Sequence, residues 1–565
     1  MSSHCVPLGG AARSRRAGRL LRAATGVALL ALVASCGQTT GPDVSAAPPQ
    51  ESTPPGGEQG THEDADDRSS DDGLATPTPR HGGTLRVATT GEPPHLDPHR
   101  STDTLVLLIT GHVFETLFTS DAQHRPTPLL ATGHEASRDG LVHTITLRRG
   151  VRFHDGSLMT AADVIASLER WGSMSGLGAS LLAATERLVA VDQYTVEFRL
   201  REPFGTLPTA LTRQLQPATI HPAHVLAESD RTRLAAPVGT GPYRLEQWAG
   251  GRPLRLVRFE GYAAPLGPRD GYAGARPQYL DAIEFVAMPE EATRVAALRA
   301  GDVHLLETVS PDQLPALTRD PEVVAELAGA DVWLNLVLNL RSPVLERVEV
   351  RRAVQLALDH DAVLQAAVGP DAYTLSPDLL PGTADWSSDA GADRYHPHDP
   401  GQARRILDEL DARGTRLRLL TTLARPPEHN AALVITQQLR AVGFDVELLV
   451  VDTATLSSWR ADEHRYELYL ASASFRPDPV MRNLTASAGG WWEDPVKESL
   501  LDRLRASDDL AERQELWAQV QARFHEDVPR IKLGDLRRVV AHRQELQGLG
   551  STELQPDLSA AWLAP

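Results

Sequence analysis

Cysteine is nearly absent from this chain of 565 residues. It occurs only as Cys5 and Cys36, both within the first 36 residues. The chain beyond Cys36 can therefore hold neither a disulfide bond nor a zinc site built on thiolates. Its stability has to come from a packed core, and the length is sufficient for two to four domains.

Lysine is almost as scarce, because 54 of the 56 basic residues are arginines. Acidic residues outnumber the basic ones, and the formal net charge is -18 at pH 7. The arginines are scattered, whereas a nucleic-acid partner requires a basic patch that neutralises phosphates. We therefore expect no nucleic-acid partner.

The apolar stretch near the N-terminus is too short to cross a membrane. It covers residues 23–35, which is 13 residues, whereas a transmembrane helix needs about 20. Five arginines precede it, at positions 13, 15, 16, 19 and 22. A positive segment followed by a short apolar one is typical of an export signal, so we predict a signal peptide over residues 1–35.

The end of this stretch indicates lipidation. Residues 33–37 read VASCG and resemble the bacterial lipobox, in which the cysteine thiol accepts diacylglycerol before cleavage. We predict that Cys36 anchors the protein to the outer face of the cytoplasmic membrane, because two or three acyl chains hold firmly where one does not. A plain signal peptide is the alternative, and the arginine pair at 15–16 leaves twin-arginine export open beside Sec export.

The segment after the predicted lipid has the composition of a disordered stalk. Residues 38–80 contain nine acidic residues against two arginines and few large apolar side chains. Such a segment cannot bury enough apolar surface to offset the entropy lost on ordering. We predict a lipidated, disordered stalk over residues 36–80.

Residues 137–171 predict a strand, a turn and a helix in close succession. Apolar residues alternate from Leu141 to Phe153, which is typical of a half-buried strand. The dipeptides at 139–140 and 155–156 read Asp-Gly, the signature of tight turns. Thr160 is then expected to cap a helix, with Asp163 as the acidic member of a capping box.

Other patterns extend this prediction along the chain. Two stretches predict strand–helix–strand units, one over residues 283–306 with Gly301 as the helix stop, and one over residues 417–450 with Gly443 as the stop. Two such units suggest two lobes. We also predict a strand or hairpin at 189–200, helices at 103–118 and 500–524, and a last strand at 537–541.

Signatures of catalysis are missing. GxSxG and HExxH do not occur, and GTGPY at 239–243 lacks the third glycine of a dinucleotide-binding loop. His396 and His398 are candidates for a metal, but two loop histidines beside proline are more typical of a solvent-exposed loop. We predict no catalytic residue, no metal site and no cofactor.

Residues 141–171 resemble the most recognisable stretch of the extracellular solute-binding proteins, family 5, the oligopeptide, dipeptide and nickel-binding receptors of ABC importers. Other matching segments follow in the family's order. They are GGTLRVA at 82–88, EPPHLDP at 92–98, VFETLF at 113–118, GTGPY at 239–243 and the helix that begins at Val350. Each segment is weak alone, but the ordered set is strong and covers about residues 82–548.

The resemblance implies an α/β fold of the periplasmic-binding-protein-like type II, with two lobes that close on a ligand and an extra subdomain. It also implies a monomer that captures peptides and delivers them to an ABC permease and its ATPase. The division that it implies is lobe I in residues 81–122, the extra subdomain in 123–235, lobe I again in 236–305, lobe II in 306–510, and a return to lobe I in 511–565.

Matching the family's order also gives the candidate ligand-binding residues. Lobe I supplies Glu92, Pro93, Leu96 and Tyr243. Lobe II supplies Ser474, Phe475 and Asp478, which precede or belong to the PDP segment at 477–479. The family often places a tryptophan and an amino-anchoring aspartate before this segment, and the present chain departs from that pattern. Trp386, Trp491 and Trp492 are further candidates, because flat rings stack on ligand faces.

Alternatives to a peptide receptor remain at this point. The same fold could bind a non-peptide solute such as a nickel chelate or a sugar, because the expected amino anchor is missing. A secreted hydrolase is a less favoured reading, and it would require a nucleophile activated by a base. A lipoprotein that senses a ligand without transporting it is the third reading.

Overall fold

The computed structural model describes residues 78–212, 215–482, 484–550 and 556–565. The predicted signal peptide, Cys36 and nearly all of the predicted stalk lie outside these residues. None of the helices in the described part is both long enough and apolar enough to cross a membrane.

The strands, in chain order, are β1 (Thr84–Thr89), β2 (Phe118–Ser120), β3 (Pro126–Pro128), β4 (Ala131–Ala136), β5 (Val142–Leu147), β6 (Thr185–Asp192), β7 (Thr195–Leu200), β8 (Tyr243–Gln247), β9 (Leu254–Arg258), β10 (Ala282–Ala287), β11 (Leu305–Val309), β12 (Val323–Leu338), β13 (Tyr373–Thr374), β14 (Arg416–Thr421), β15 (Asp445–Val450), β16 (Leu468–Ser474), β17 (Arg530–Arg543), β18 (Leu546–Gln547) and β19 (Trp562–Leu563).

The α-helices are α1 (Thr104–Thr110), α2 (Ala161–Gly172), α3 (Gly176–Ala184), α4 (Leu207–Ala210), α5 (Ala223–Ala227), α6 (Glu291–Ala300), α7 (Leu314–Leu317), α8 (Val348–Ala357), α9 (His360–Val368), α10 (Pro400–Glu409), α11 (Pro426–Val442), α12 (Thr453–Trp459), α13 (Pro495–Ala506) and α14 (Leu510–Asp527).

One large sheet joins two α/β halves. The first half contains β1 and β8–β11, and the second contains β14–β16. The order of the sheet is β15-β14-β16-β12-β17-β11-β1-β10-β9-β8, with β13 attached to β17. In the first half, β1 lies between β10 and β11 and is parallel to both, and α6 connects those two outer strands. In the second half, β14 and β15 are parallel and α11 connects them. Both predicted strand–helix–strand units are therefore confirmed, and Gly301 and Gly443 close their helices with positive φ.

Two long antiparallel strands, β12 and β17, connect these halves. The N-terminal part of β12 pairs with the end of β17 that also contacts β11, whereas its C-terminal part pairs with β16. Their register shifts between Leu327 and Ala330, between Ala330 and Val332, and between Leu334 and Asn335. Such irregularities interrupt the ladder and bend a strand, so the two halves meet where the pairing is least regular.

A separate four-stranded antiparallel sheet has the order β4-β5-β7-β6. Gly140 makes the turn between β4 and β5 with φ +67°, and Gly156 has φ +89° at the second predicted turn. The carboxylate of Asp163 accepts a hydrogen bond from the Thr160 N–H at 2.8 Å, so the capping box is confirmed. Helices α2 and α3 pack on this sheet around Trp171 and Phe198, both fully buried.

Three predicted elements have other limits. Helix α1 ends at Thr110 instead of continuing to residue 118, because the carbonyls of His112 and Val113 accept hydrogen bonds from the strand-forming segment at Gly241 and Tyr243. The predicted helix 500–524 is two helices, since Asp509 caps α14 anew. Strand β17 extends well beyond residues 537–541, and it is not the last strand, because β18 and β19 follow it.

Candidate ligand-binding site

Side chains on β12 divide the second half into two cores. Val332, Leu334 and Leu336 face an aliphatic cluster formed with α8, α9 and α11, whereas Trp333 points to the opposite face and packs beside α13 and α14. This alternation is the ordinary consequence of a strand's two-residue period. The face that carries Trp333 is also the face toward which the loop after β16 turns.

The loop after β16 touches the part of the chain that carries the small antiparallel sheets. Phe475 is 6% exposed, and its ring centroid lies 4.6 Å from that of His124. Nearby, Arg125 binds both carboxylate oxygens of Asp385 at 2.8 and 3.0 Å. The segment between β2 and β3 is thus in direct contact with the second half of the molecule at this point.

A buried ion pair lies on the connecting strand β17. The Lys532 ammonium is 2.7 Å from a carboxylate oxygen of Asp535, and both side chains are at most 2% exposed. Lys532 also donates to the Asp378 carbonyl and lies 5.6 Å from the centre of the Trp333 ring. Burial lowers the pKa of Lys532 and raises the pKa of Asp535 to about 6.

Arg482 lies near the same tryptophan as Lys532, with its guanidinium 5.2 Å from the centre of the Trp333 ring. Its Nη1 donates to the Ser474 carbonyl at 2.8 Å. Its Nε and Nη2 are buried and have no hydrogen-bond partner among the described residues. Burial, and after it the positive charge of Arg476, lowers the pKa of Arg482 to about 9.

Arg476 is the second arginine of this group. Its Nη1 donates to the carbonyl of the adjacent Phe475 at 2.9 Å, and burial lowers its pKa to about 10. Within the described part of the chain, neither Arg476 nor Arg482 forms an ion pair. Nearby, Nε1 of Trp333 and Oδ1 of Asn335 are also buried without a described hydrogen-bond partner. The arrangement therefore offers three unused donors, two of them on the Arg482 guanidinium, and one unused acceptor, next to flat aromatic surface.

Some of the predicted ligand residues lie at this group and others have structural partners. Ser474 and Phe475 belong to it. Asp478 is 2% exposed, and both of its carboxylate oxygens accept from Nη2 of Arg513 at 2.7 and 2.8 Å. Arg513 also lies 4.8 Å from the Trp386 ring. These contacts hold the loop and the tryptophan cluster together, so the contribution of Asp478 and Trp386 to ligand binding remains a prediction.

The two adjacent tryptophans have different surroundings. Nε1 of Trp492 donates to Asp527 at 3.2 Å, and the Lys497 ammonium lies 5.0 Å from its ring centre. Trp491 lies against Tyr466 and under Arg341. Both therefore have partners within the second half, and their ligand contact also remains a prediction.

The predicted residues of the first half lie in the loop between β1 and α1 and at the start of β8. Glu92 accepts a hydrogen bond from the Gly251 N–H at 2.8 Å. Pro93 is buried, and Leu96 and Tyr243 belong to the core around α1. The Tyr243 hydroxyl donates to the Leu280 carbonyl at 3.4 Å, and burial raises the pKa of this hydroxyl. None of the contacts described for these four residues involves Arg482, and their role in binding remains a prediction.

Sequence reasoning missed Arg482, Lys532, Asp535 and Trp333. A signal for Lys532 was present, because the chain uses lysine only twice, at 497 and 532, and the side chains of both are fully buried. An ammonium is more compact than a guanidinium and pairs with a carboxylate as a point charge. No comparable signal marks Arg482 among the 54 arginines.

A cavity opens between the halves on the face opposite Trp333. It has a volume of about 910 Å³ and is lined by residues that include Arg294, Ser310, Val332, Ala367 and Pro426. None of the predicted ligand residues is among the described residues that line it. Its size is within the range of small-molecule sites, so it is the competing location for a ligand.

His396, one of the two candidate metal-binding histidines, lies beside two acidic residues. One ligand atom each of Asp359, Asp361 and His396 lie within 4.8 Å of one another. Both carboxylates have other partners, since Asp359 caps α9 and Asp361 accepts from the Tyr373 hydroxyl. These contacts explain the cluster without a metal.

A family model described as bacterial extracellular solute-binding proteins, family 5 Middle, matches residues 125–492 of the chain, which is more than half of it. The chain belongs to this family. The family-5 chain is 27% identical over 461 residues to the probable peptide ABC transporter periplasmic-binding protein y4tO of Sinorhizobium fredii, with 77% of this chain and 86% of the relative covered. It is also 27% identical over 476 residues to the glutathione-binding protein GsiB of Pectobacterium atrosepticum, with 80% and 88% covered.

The fold of the family-5 chain is likewise that of known binding proteins. The structure of AgaA from A. tumefaciens R10, in complex with agropinic acid, superposes with a TM-score of 0.72 and 26% identity. The match covers 86% of this chain and 99% of that one. The α/β, two-lobed type II architecture predicted from the sequence is therefore confirmed, and the family is one of solute-binding proteins, not of enzymes.

Proposed function

We propose that this protein is the substrate-binding subunit of an ABC importer, and that it captures a peptide or a related small solute between its lobes. The observation that carries the proposal is the group around Arg482 and Trp333, which places unused buried donors where both halves meet. The relatives support it, since their names specify a peptide transporter and a glutathione-binding protein.

Strands β12 and β17 provide the hinge in this proposal. They are the strands shared by the two halves, and three shifts of register interrupt their pairing. Opening would separate Phe475 from His124 and Arg125 from Asp385, and closing on a ligand would restore these contacts. Hinge closure around a ligand is an established route to recognition.

Two further parts of the proposal concern the chain's surroundings. The lipid at Cys36 holds the protein at the outer face of the cytoplasmic membrane, and the closed form delivers its solute unchanged to a permease. The ranges predicted for lobe I, lobe II and the extra subdomain define the moving parts. Glu92, Pro93, Ser474 and Phe475 are the residues that we place at the edge of the cleft.

A tryptophan-fluorescence titration tests the binding function. The purified protein is titrated with libraries of di- to pentapeptides, with glutathione and with nickel–histidine chelates. We expect a saturable change that is largely lost in Trp333→Phe and retained in the control Trp248→Phe, since Trp248 is 41% exposed in another part of the chain. No saturable response to any of these solutes would contradict the proposal.

Recovery of the bound solute separates a receptor from a hydrolase. Mass spectrometry of the solute after prolonged incubation is expected to show it intact. Release of hydrolysis products at a rate proportional to protein concentration would instead support the secreted hydrolase.

A further inference from the structure

Other buried arginines among the described residues have an acidic partner, as Arg513 and Arg276 do, or at least two carbonyl acceptors, as Arg294 and Arg351 do. Arg513 donates to Asp478 at 2.7 Å, and Arg276 donates to Glu115 at 3.2 Å. Pairing is expected, because removing a charge from water costs several kcal/mol unless an opposite charge or strong acceptors replace the water. Arg482 departs from this rule, since it is 7% exposed and uses one described hydrogen bond, to a neutral carbonyl.

The local charge around Arg482 is positive. The charged groups that act on its guanidinium are Arg476 and Arg530, which repel it, and Asp535 and Asp378, which attract it. One of these carboxylates is already paired with Lys532. Arg482, Arg476 and Lys532 thus have two carboxylates near them, and burial raises the pKa of both carboxylates.

Asp478, the acidic residue nearest to Arg476 in the sequence, cannot neutralise this excess of positive charge. Asp478 follows Arg476 by two residues, but both of its oxygens accept from Arg513 and one also caps Val480. The α-ammonium of a peptide would therefore meet cations on this side of the cleft and no free carboxylate. An anion would meet Nε and Nη2 of Arg482, whose fork matches the two oxygens of a carboxylate.

We propose that the solute carries a net negative charge and that Arg482, assisted by Arg476, binds a carboxylate of that solute above the Trp333 ring. This inference rests on the proposed binding function and specifies the class of solute. The two arginines form the recognition site, and Lys532 with Asp535 holds the strand beneath it. A zwitterionic or cationic peptide is rejected by the same charges.

Matched sets of dipeptides test the charge preference. Each sequence is supplied as the N-acetyl acid, which is anionic, as the free dipeptide, which is zwitterionic, and as the amide, which is cationic. Glutathione is included as a further anionic probe, and binding is measured by calorimetry at pH 7. We expect binders to be concentrated among the anions, with at least tenfold tighter binding than for the zwitterionic or cationic counterpart.

Arginine variants test the assignment of the residues. Arg482→Met and Arg476→Met are expected to weaken the binding of the anionic solute at least tenfold, whereas the exposed control Arg503→Met leaves it unchanged. Arg482→Lys keeps the charge but not the forked guanidinium, so its affinity is expected to lie between those of Arg482→Met and Arg503→Met. It is the variant used if Arg482→Met does not fold. Preference for free dipeptides, with no effect of either arginine, would overturn this inference and leave the receptor function standing. Absence of binding by every probe would overturn both.

Discussion

Replacing Arg482 with methionine is expected to stabilise the ligand-free protein, because the guanidinium is buried without an ion-pair partner among the described residues. Its pKa of about 9 corresponds to a cost of roughly 4–5 kcal/mol for keeping the charge inside the protein. Methionine loses the hydrogen bond to the Ser474 carbonyl, about 2 kcal/mol, and the contact with the Trp333 ring, about 1 kcal/mol. The expected net effect is a gain of about 1–2 kcal/mol in the free energy of unfolding.

Urea denaturation without ligand measures this effect, with Arg503→Met as the matched control. Arg503 pairs with Glu512 at the surface, so its replacement is expected to change stability little. Residues of a binding site often lower the stability of the protein for the sake of function. Replacing such a residue can therefore stabilise the protein while binding is lost. If Arg482→Met instead unfolds at clearly lower urea than the wild type, Arg482 is a structural residue and the reasoning is wrong.

Three further predictions concern other parts of the chain. Cys36→Ser is expected to release the protein into the medium or leave it unprocessed, and unchanged membrane retention in fractionated cells would refute the lipid anchor. Asp478→Ala leaves Arg513 buried without its carboxylate and is expected to cost about 3 kcal/mol in urea denaturation, far more than the exposed control Asp502→Ala. Burial lowers the pKa of His99 to about 4. The neutral imidazole therefore contributes roughly 3 kcal/mol to the free energy of unfolding above pH 6.5, and this contribution is lost as the pH falls toward 4. His99→Gln is expected to flatten the fall in unfolding free energy between pH 7 and 4.5, and an unchanged pH slope would contradict the assignment.

The sequence predicted local structure well where signals agreed over short distances. The capping box at Thr160, the turns at Gly140 and Gly156, and the helix stops at Gly301 and Gly443 depend on neighbouring residues, and each was confirmed. The end of α1 could not be predicted, because it depends on hydrogen bonds to Gly241 and Tyr243, about 130 residues away.

The candidate site was predictable only in part, because it also depends on contacts between segments that are distant in the sequence. Ser474 and Phe475 belong to a segment with a recognisable pattern, and they lie beside Arg482 and Trp333. The unpaired state of Arg482 is a property of the folded neighbourhood, since Asp378 and Asp535 come from distant segments and β12 supplies Trp333. Composition gave a hint only for Lys532, one of two lysines in the chain.

A crystal structure of the protein with a bound solute, identified first by mass spectrometry after purification from its native host, tests the central claim most directly. We predict that an anionic solute lies between the lobes, with a carboxylate within 3.2 Å of Arg482 and its body against Trp333. A solute in the cavity lined by Arg294 and Ser310, or one held without contact to either arginine, would contradict the account.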